Sequence, residues 1–206
     1  MSLPDPLRAV ALLLAAALAG CEADAREPAP AATAAAPAPA AGERFSVYAL
    51  ADEPWRDAAG AERTLASLAG RVQVVAMVYT HCAHTCPRIV ADLKRVEAEV
   101  EVTHPGAAGL VLVTLDPERD TPERLREFAA GARLAPERWT LLAGTEDGTR
   151  ALAALLSIRY REEAGREIAH SNAIVVLDRE GRIVHRRDTL EEPLDATIDA
   201  VRRAAG

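Results

Sequence analysis

Between Val72 and Tyr79 the sequence runs Val-Gln-Val-Val-Ala-Met-Val-Tyr, a valine-rich stretch with almost no polar interruption. A continuous apolar run without alternation fits a strand covered on both faces, as in a mostly parallel sheet. It leads into Thr80-His81-Cys82-Ala83-His84-Thr85-Cys86-Pro87 and then into a segment where Ile89, Val90, Leu93, Val96 and Val100 recur at helical spacing. The spacing predicts a helix from about Pro87 to Glu101, with Thr85 as its cap and Pro87 in the first turn, where a missing N–H costs nothing. A doubly covered strand feeding a helix through a loop with two cysteines argues a layered α/β or α+β structure.

The remaining pattern agrees. Leu110 to Leu115 is a second buried-strand run, and a polar connection, Asp116 to Pro122, leads to a helix begun by Thr121-Pro122 with Leu125 and Phe128 inward. Trp139 to Leu142 predicts a strand, Asp147 to Ser157 a helix, Ile158 to Tyr160 an extended piece, and residues 161–169 a loop or edge strand. Ala173 to Leu177, a turn at Asp178 to Gly181, and Ile183 to Arg186 predict a hairpin, followed by a closing helix from Pro193 to Ala204. Upstream, Phe45 to Leu50 predicts a short strand, 52–63 a loop, and Thr64 to Leu68 a helical turn closed by Gly70. Aromatic residues are only 3% of the chain, so the core rests on Leu, Val and Ile. The order of elements argues an α/β three-layer domain over 44–206: a central mixed sheet flanked by helices, with a C-terminal β-hairpin and closing helix. A cysteine pair at the first strand-to-helix junction of such a unit points to a thioredoxin-like fold.

The first 43 residues carry a different message. Arg8 precedes an apolar run from Ala9 to Ala19, which is short for a membrane span and has the length of a signal-peptide core. Leu18-Ala19-Gly20-Cys21 resembles a bacterial lipobox. Residues 1–20 are therefore expected to be a lipoprotein signal peptide and Cys21 a lipidation site; an uncleaved anchor or an ordinary signal peptide also exports the domain. Residues 21–43, rich in Ala and Pro, form a linker that in polyproline geometry reaches roughly 60 Å. With a net charge of -7 and no basic run, the chain is a poor partner for nucleic acid.

Removing Cys21 leaves Cys82 and Cys86 as a pair. A helix start favours the thiolate form, so both thiols are expected to be reactive. The residues alone leave three chemistries open: dithiol–disulfide exchange, although the usual redox loop is C-x-x-C; copper, which soft thiolates select; and zinc, which in a structural site takes four ligands. His81 and His84 cannot easily turn inward together with both cysteines and are expected to be exposed or to stand behind the ligands. His104, before Pro-Gly, is expected in a loop, and His185, alternating in a hairpin strand, at the surface. His170 precedes a buried strand whose start, in a thioredoxin-like topology, passes close to the cysteine loop, so it can complete a site of two thiols and one imidazole.

These motifs resemble the Sco/SenC family over about 45–205. Tyr79-Thr80-His81-Cys82 through Cys86-Pro87 is similar to its Y-T-x-C-x-x-x-C-P, Asp116-Pro117-Glu118-Arg119-Asp120-Thr121-Pro122 to its D-P-x-R-D-T-P, and His170-Ser171 with Asp178 to Gly181 to its H-S…D-x-x-G block. Ala83 departs from the pattern, where proline is frequent, without removing a ligand. The resemblance implies copper, as Cu(I) or Cu(II), bound by Cys82, Cys86 and His170. It also implies a tether on the periplasmic side of the bacterial inner membrane and a role in maturing the binuclear copper site of cytochrome c oxidase subunit II. Other copper chaperones or thiol reductants are further expected partners. The alternative is a general thiol–disulfide oxidoreductase; a peroxide-reducing enzyme is a third reading that no residue here demands. The absence of a proline in 168–173, where thioredoxins carry one facing the cysteines, shifts the expectation toward metal. Asp116, Arg119 and Asp120 are expected to form a polar cluster that supports the site or faces a partner, or simply a capped loop.

Overall fold

The computed structural model describes residues 45–50, 52–163 and 167–206. The expected signal peptide (1–20), Cys21 and the linker (21–43) lie outside them. In chain order the elements are a 3-10 turn (Val47–Ala49), β1 (Trp55–Asp57), β2 (Glu62–Arg63), a second 3-10 turn (Leu65–Leu68), β3 (Val72–Val78), α1 (Thr85–Thr103), β4 (Ala108–Thr114), α2 (Pro122–Ala132), β5 (Trp139–Ala143), α3 (Glu146–Leu155), β6 (Tyr160–Glu162), β7 (Ile168–His170), β8 (Ile174–Leu177), β9 (Ile183–Arg187) and α4 (Asp195–Ala205).

β3 is buried along its whole length because it lies near the middle of a seven-stranded sheet ordered β2-β1-β5-β4-β3-β8-β9. It pairs in parallel with β4 from Val72↔Ala108 to Val78↔Thr114 and antiparallel with β8. β4 pairs in parallel with β5. The crossovers β3–α1–β4 and β4–α2–β5 step the same way across the sheet, which by the right-handed rule places α1 and α2 on one face. Lys94 of α1 donates to the Ala132 carbonyl at the end of α2, and α4 packs on α1. The sheet is thus mixed, with a C-terminal hairpin and a closing helix; this is a thioredoxin-like fold. The core combines Val74, Leu110, Leu112 and Leu141 of the sheet with Ile89, Leu93 and Val96 of α1, all nearly solvent-free.

Four local expectations need correction. Phe45 to Leu50 is not a strand: the Ser46 hydroxyl accepts from the Tyr48 N–H and starts a 3-10 turn, and only Ser46 makes a β-bridge, to Arg182. Residues 52–63 are not all loop. The Asp57 carboxylate accepts from the N–H groups of Ala59 and Ala61 and from Arg63, and Gly60 at φ 83° closes a turn that pairs β1 with β2. Thr85 does not cap α1: it is the first helical residue, preceded by His84, which makes no side-chain cap bond. His185 is half-buried rather than superficial, with Nε2 2.9 Å from the Thr197 hydroxyl of α4. Thr121, by contrast, caps α2 as expected, accepting from the Arg124 N–H.

One buried ion pair joins the sheet edge to α1. The Arg187 guanidinium of β9 bonds Asp92 at 2.8 Å and the carbonyls of Leu190 and Glu192. Its side chain is 3% exposed. Truncating one partner of such a pair leaves a buried charge unanswered. Arg187→Ala is therefore expected to lower unfolding stability by about 3 kcal/mol or more. Urea denaturation followed by circular dichroism measures this; a loss like that of an exposed ion pair, below about 1 kcal/mol, contradicts it.

Candidate metal centre

The loop after β3 delivers both thiols. Cys82 is half-buried and ahead of α1; Cys86 lies in its first turn and is 0% exposed. Both are free thiols. The Cys86 N–H points at Cys82 Sγ, 3.4 Å away, so a thiol takes the capping role expected of Thr85. The Thr85 hydroxyl instead lies 3.7 Å from the same sulfur.

His170 ends β7, which pairs only with β6 in a small separate ribbon, Tyr160↔His170 to Glu162↔Ile168. Of the loop or edge strand expected over 161–169, residues 161–162 and 168–169 are strand. The ribbon is pinned to the main body by the Ile168 N–H, which donates to the Tyr79 hydroxyl. The Tyr79 ring meets the His170 ring edge-on at 5.9 Å and the His81 ring at 4.7 Å. The His170 Nδ1 lies 3.0 Å from the Ser171 carbonyl, which can only accept, so Nδ1 carries the proton. Nε2 is left with its lone pair facing Cys86 Sγ at 3.7 Å. Fixing one ring nitrogen in this way orients the other for a metal.

The ligand atoms of Cys82, Cys86 and His170 all lie within 4.8 Å of one another. Three donors around one ion at bonds of about 2.0–2.3 Å stand roughly 3.5–4 Å apart, so a closure of less than about 1 Å brings them around it. Among the described residues this is the only cluster of three His, Cys or acidic groups arranged to hold a metal. A closed structural zinc site takes four ligands. Two thiols and one neutral imidazole match a soft ion such as Cu(I) better.

The two thiols differ. Burial alone would raise the Cys82 pKa, but the N–H groups of Cys86 and His84 and the Cys86 and Thr85 side chains lower it to about 7. Burial pushes the Cys86 thiol well above the ordinary thiol range, with further upward contributions from Cys82 and Asp120. Burial lowers the His170 pKa, against a smaller opposing effect of the Ser171 carbonyl, and so favours the neutral, ligating imidazole.

His81 and His84 are exposed, and neither joins the three-donor cluster. His81 turns toward the acids of the β4–α2 loop, with Nε2 3.5 Å from Asp116 and Nδ1 4.0 Å from Asp120. Asp120 is 0% exposed and Asp116 7%, so a partner-facing role does not hold for them. Asp120 accepts from the Thr80 N–H at 3.0 Å and from the hydroxyls of Thr80 and Thr114. It ties the β4–α2 loop to the residue two places before Cys82. Arg119, partly exposed, pairs with Asp116. Sequence reasoning did not single out Thr80, Thr114 or the Tyr79 hydroxyl as parts of the site; the only signal was their place at the strand ends beside the cysteines.

A thioredoxin-like domain with a Cys-x-x-x-Cys and histidine cluster at the end of its central strand defines the class. The SCO1/SenC family profile matches residues 51–206, and the chain belongs to that family. A SCO1 protein homolog of Bacillus subtilis is 25% identical over 150 residues, covering 71% of this chain and 77% of that one. Two solved structures share the fold. Arabidopsis thaliana ScoI with copper bound has a TM-score of 0.65 and 18% identity, over 75% of this chain and 99% of that one. BsSco, described as carrying a disulfide switch and as a member of the Sco family of cytochrome c oxidase assembly proteins, has a TM-score of 0.66 and 21% identity, over 75% and 92%.

Two outcomes follow from this geometry. Iodoacetamide alkylation of Cys82 in reduced protein, followed by mass spectrometry, should rise with pH through a midpoint near 7, while Cys86 stays unmodified to pH 9. Equal labelling of both thiols contradicts the asymmetry. Asp120→Ala leaves the Thr80 N–H without its acceptor and should cost about 1–3 kcal/mol. It should also raise the rate of Cys86 alkylation, because the loop covering it loosens.

Proposed function

We propose that this protein binds one copper ion through Cys82, Cys86 and His170 as cargo for a cuproprotein. The client we infer is cytochrome c oxidase subunit II, whose binuclear copper site the protein loads or whose thiols it prepares. The observation that carries this reading is the three-donor cluster: two thiols of unlike exposure and an imidazole with its lone pair turned inward. The copper-bound Arabidopsis ScoI of the same fold and the description of BsSco as an oxidase assembly protein support it. Cys82 ionises near neutral pH and is within reach of solvent, so it is the group an incoming client thiolate displaces. Cys86 and His170 hold from behind. Because the thiols must be reduced to load metal, thiol reductants and other copper chaperones are natural upstream partners. We further infer that the chain acts from a lipid on Cys21, at the periplasmic side of the bacterial inner membrane, with 21–43 as its tether. The lipobox-like Leu18-Ala19-Gly20-Cys21 supports this. Among the described residues no helix is long and apolar enough to cross a membrane.

The same thiol asymmetry favours a second reading, reduction of a client disulfide. The Cys82 thiolate attacks one client sulfur and the other leaves as thiolate. Cys86 then displaces the client, leaving a Cys82–Cys86 disulfide and a client dithiol, and an external dithiol restores the pair.

Metal analysis after loading reduced protein with Cu(I) should give one copper per chain, falling to none in the Cys82→Ser/Cys86→Ser variant. With Cu(II), a thiolate-to-copper charge-transfer band should form and be lost in His170→Ala. Binding indifferent to both changes would sink the copper assignment. Reduction of a client disulfide by His170→Ala protein with copper chelated away would favour the second reading.

A further inference from the structure

A solvent-open hollow of about 230 Å³ lies at the other end of β3 from the thiols. Arg63 of β2, Leu68 of the second 3-10 turn, Arg71 just ahead of β3, Gln73 within it and Thr140 of β5 line it. Val74 of β3 packs on the α1 side, beside Val96 and Val100, so Gln73, its neighbour, points to the opposite face.

None of the lining residues is acidic, although the whole chain carries a net charge of -7. Arg63 commits Nε to Asp57 at 2.8 Å, and the remainder of its guanidinium is open. Arg71 has no ion pair among the described residues. Gly109 makes the arrangement possible. A Cβ there would fall 2.2 Å from Gln73 Oε1 and 2.4 Å from Arg71 Nη2, so both side chains lie over bare backbone of β4. Gln73 is 2% exposed; its amide nitrogen donates to the Leu68 carbonyl at 2.7 Å, yet its Oε1 has no donor. One guanidinium with no carboxylate and a second with its outer nitrogens uncommitted, beside a buried oxygen without a donor, describe the negative image of a ligand. That ligand carries an anionic carboxylate for the arginines and an adjacent O–H or N–H for Gln73. The apolar wall of Leu68 and Leu142 accommodates a short carbon chain. The volume is below the roughly 300–1,000 Å³ of sites for drug-sized ligands and fits an anion of a few carbons.

We propose that this hollow is a binding site for a small hydroxy- or amino-carboxylate, held by Arg63 and Arg71 and recognised through Gln73 Oε1. The site is separate from the metal centre and independent of whether copper is the cargo.

Isothermal titration calorimetry of the full chain, reduced and at low ionic strength, with malate, succinate and inorganic phosphate tests this. Malate is expected to bind saturably, succinate about fivefold more weakly for want of the hydroxyl, and phosphate more weakly still. Arg71→Gln should weaken malate about tenfold or more. Gln73→Leu should erase the preference for malate over succinate. Arg56→Gln, an exposed arginine of β1 paired with Glu62 outside the hollow, should change nothing. The Cys82→Ser/Cys86→Ser variant should bind malate as the parent does, which separates this site from the thiol site. No saturable malate binding up to tens of millimolar, phosphate binding as tight as malate, or equal weakening by Arg56→Gln and Arg71→Gln would overturn the proposal.

Discussion

The parallel pairing of β3 with β4 is the constraint on which the site depends. Seven matched pairs, Val72↔Ala108 to Val78↔Thr114, bring both strands to an end at the same level. The loops that follow must therefore leave side by side. That is why Asp120, forty residues beyond Thr80, can accept its N–H and hydroxyl. The Asp120 carboxylate is enclosed and takes its donors from a backbone N–H and two hydroxyls, a cradle that only this register supplies. On the other side of β3, the antiparallel partner β8 begins at this same end, with Ile174 beside Ala76, so the residues just before it, including His170, arrive at the loop. Local helix propensity then adds little; the thiols are placed by strand ends and held by hydrogen bonds across them.

The chemistry of the pair follows from where each sulfur lies relative to α1. Cys82 is outside the helix, accepting from N–H groups that α1 leaves unsatisfied, and those donors outweigh its partial burial. Cys86 is inside the first turn, where its side chain is enclosed by the core and burial outweighs the Tyr79 N–H that reaches it. One spacing of four residues thus yields an accessible thiolate and a protected thiol. A shorter loop, as in C-x-x-C, would bring both sulfurs nearer to the helix end and leave less room between them for an ion and an imidazole.

Much of this was legible in the sequence. The continuous valine-rich runs marked β3 and β4, the 3.6-residue spacing of Ile89 to Val100 marked α1, and Thr121-Pro122 marked the start of α2, because each signal is local and strong. The cysteine pair and His170 were legible as candidates through residue type and strand position. What escaped were features whose cause is distant in the chain. The β1–β2 turn depends on the many bonds gathered by Asp57, which composition alone reads as loop. The enclosure of Asp120 depends on Thr80, forty residues earlier in the chain, as well as on Thr114. His185 looks like a surface residue in an alternating strand until α4 folds across it.

Each of the three donors is anchored to a different piece of the molecule, and this bears on how a metal leaves. Cys86 belongs to a nineteen-residue helix whose apolar face is buried. His170 rides on a two-stranded ribbon tied to Tyr79, which itself extends β3. Cys82 has no regular element of its own: its position rests on a turn bond from its N–H to the Tyr79 carbonyl at 3.3 Å, on the Asp120–Thr80 bonds before it and on weak sulfur contacts with Cys86 and Thr85 after it. Its backbone is thus the least constrained of the three, and it is also the only one of the two thiols with access to solvent. Displacing Cys82 disturbs a short loop, whereas displacing Cys86 or His170 would require a helix or a ribbon to move. Under the proposed function, exchange of cargo or of a disulfide starts at Cys82, the donor that the fold holds least firmly.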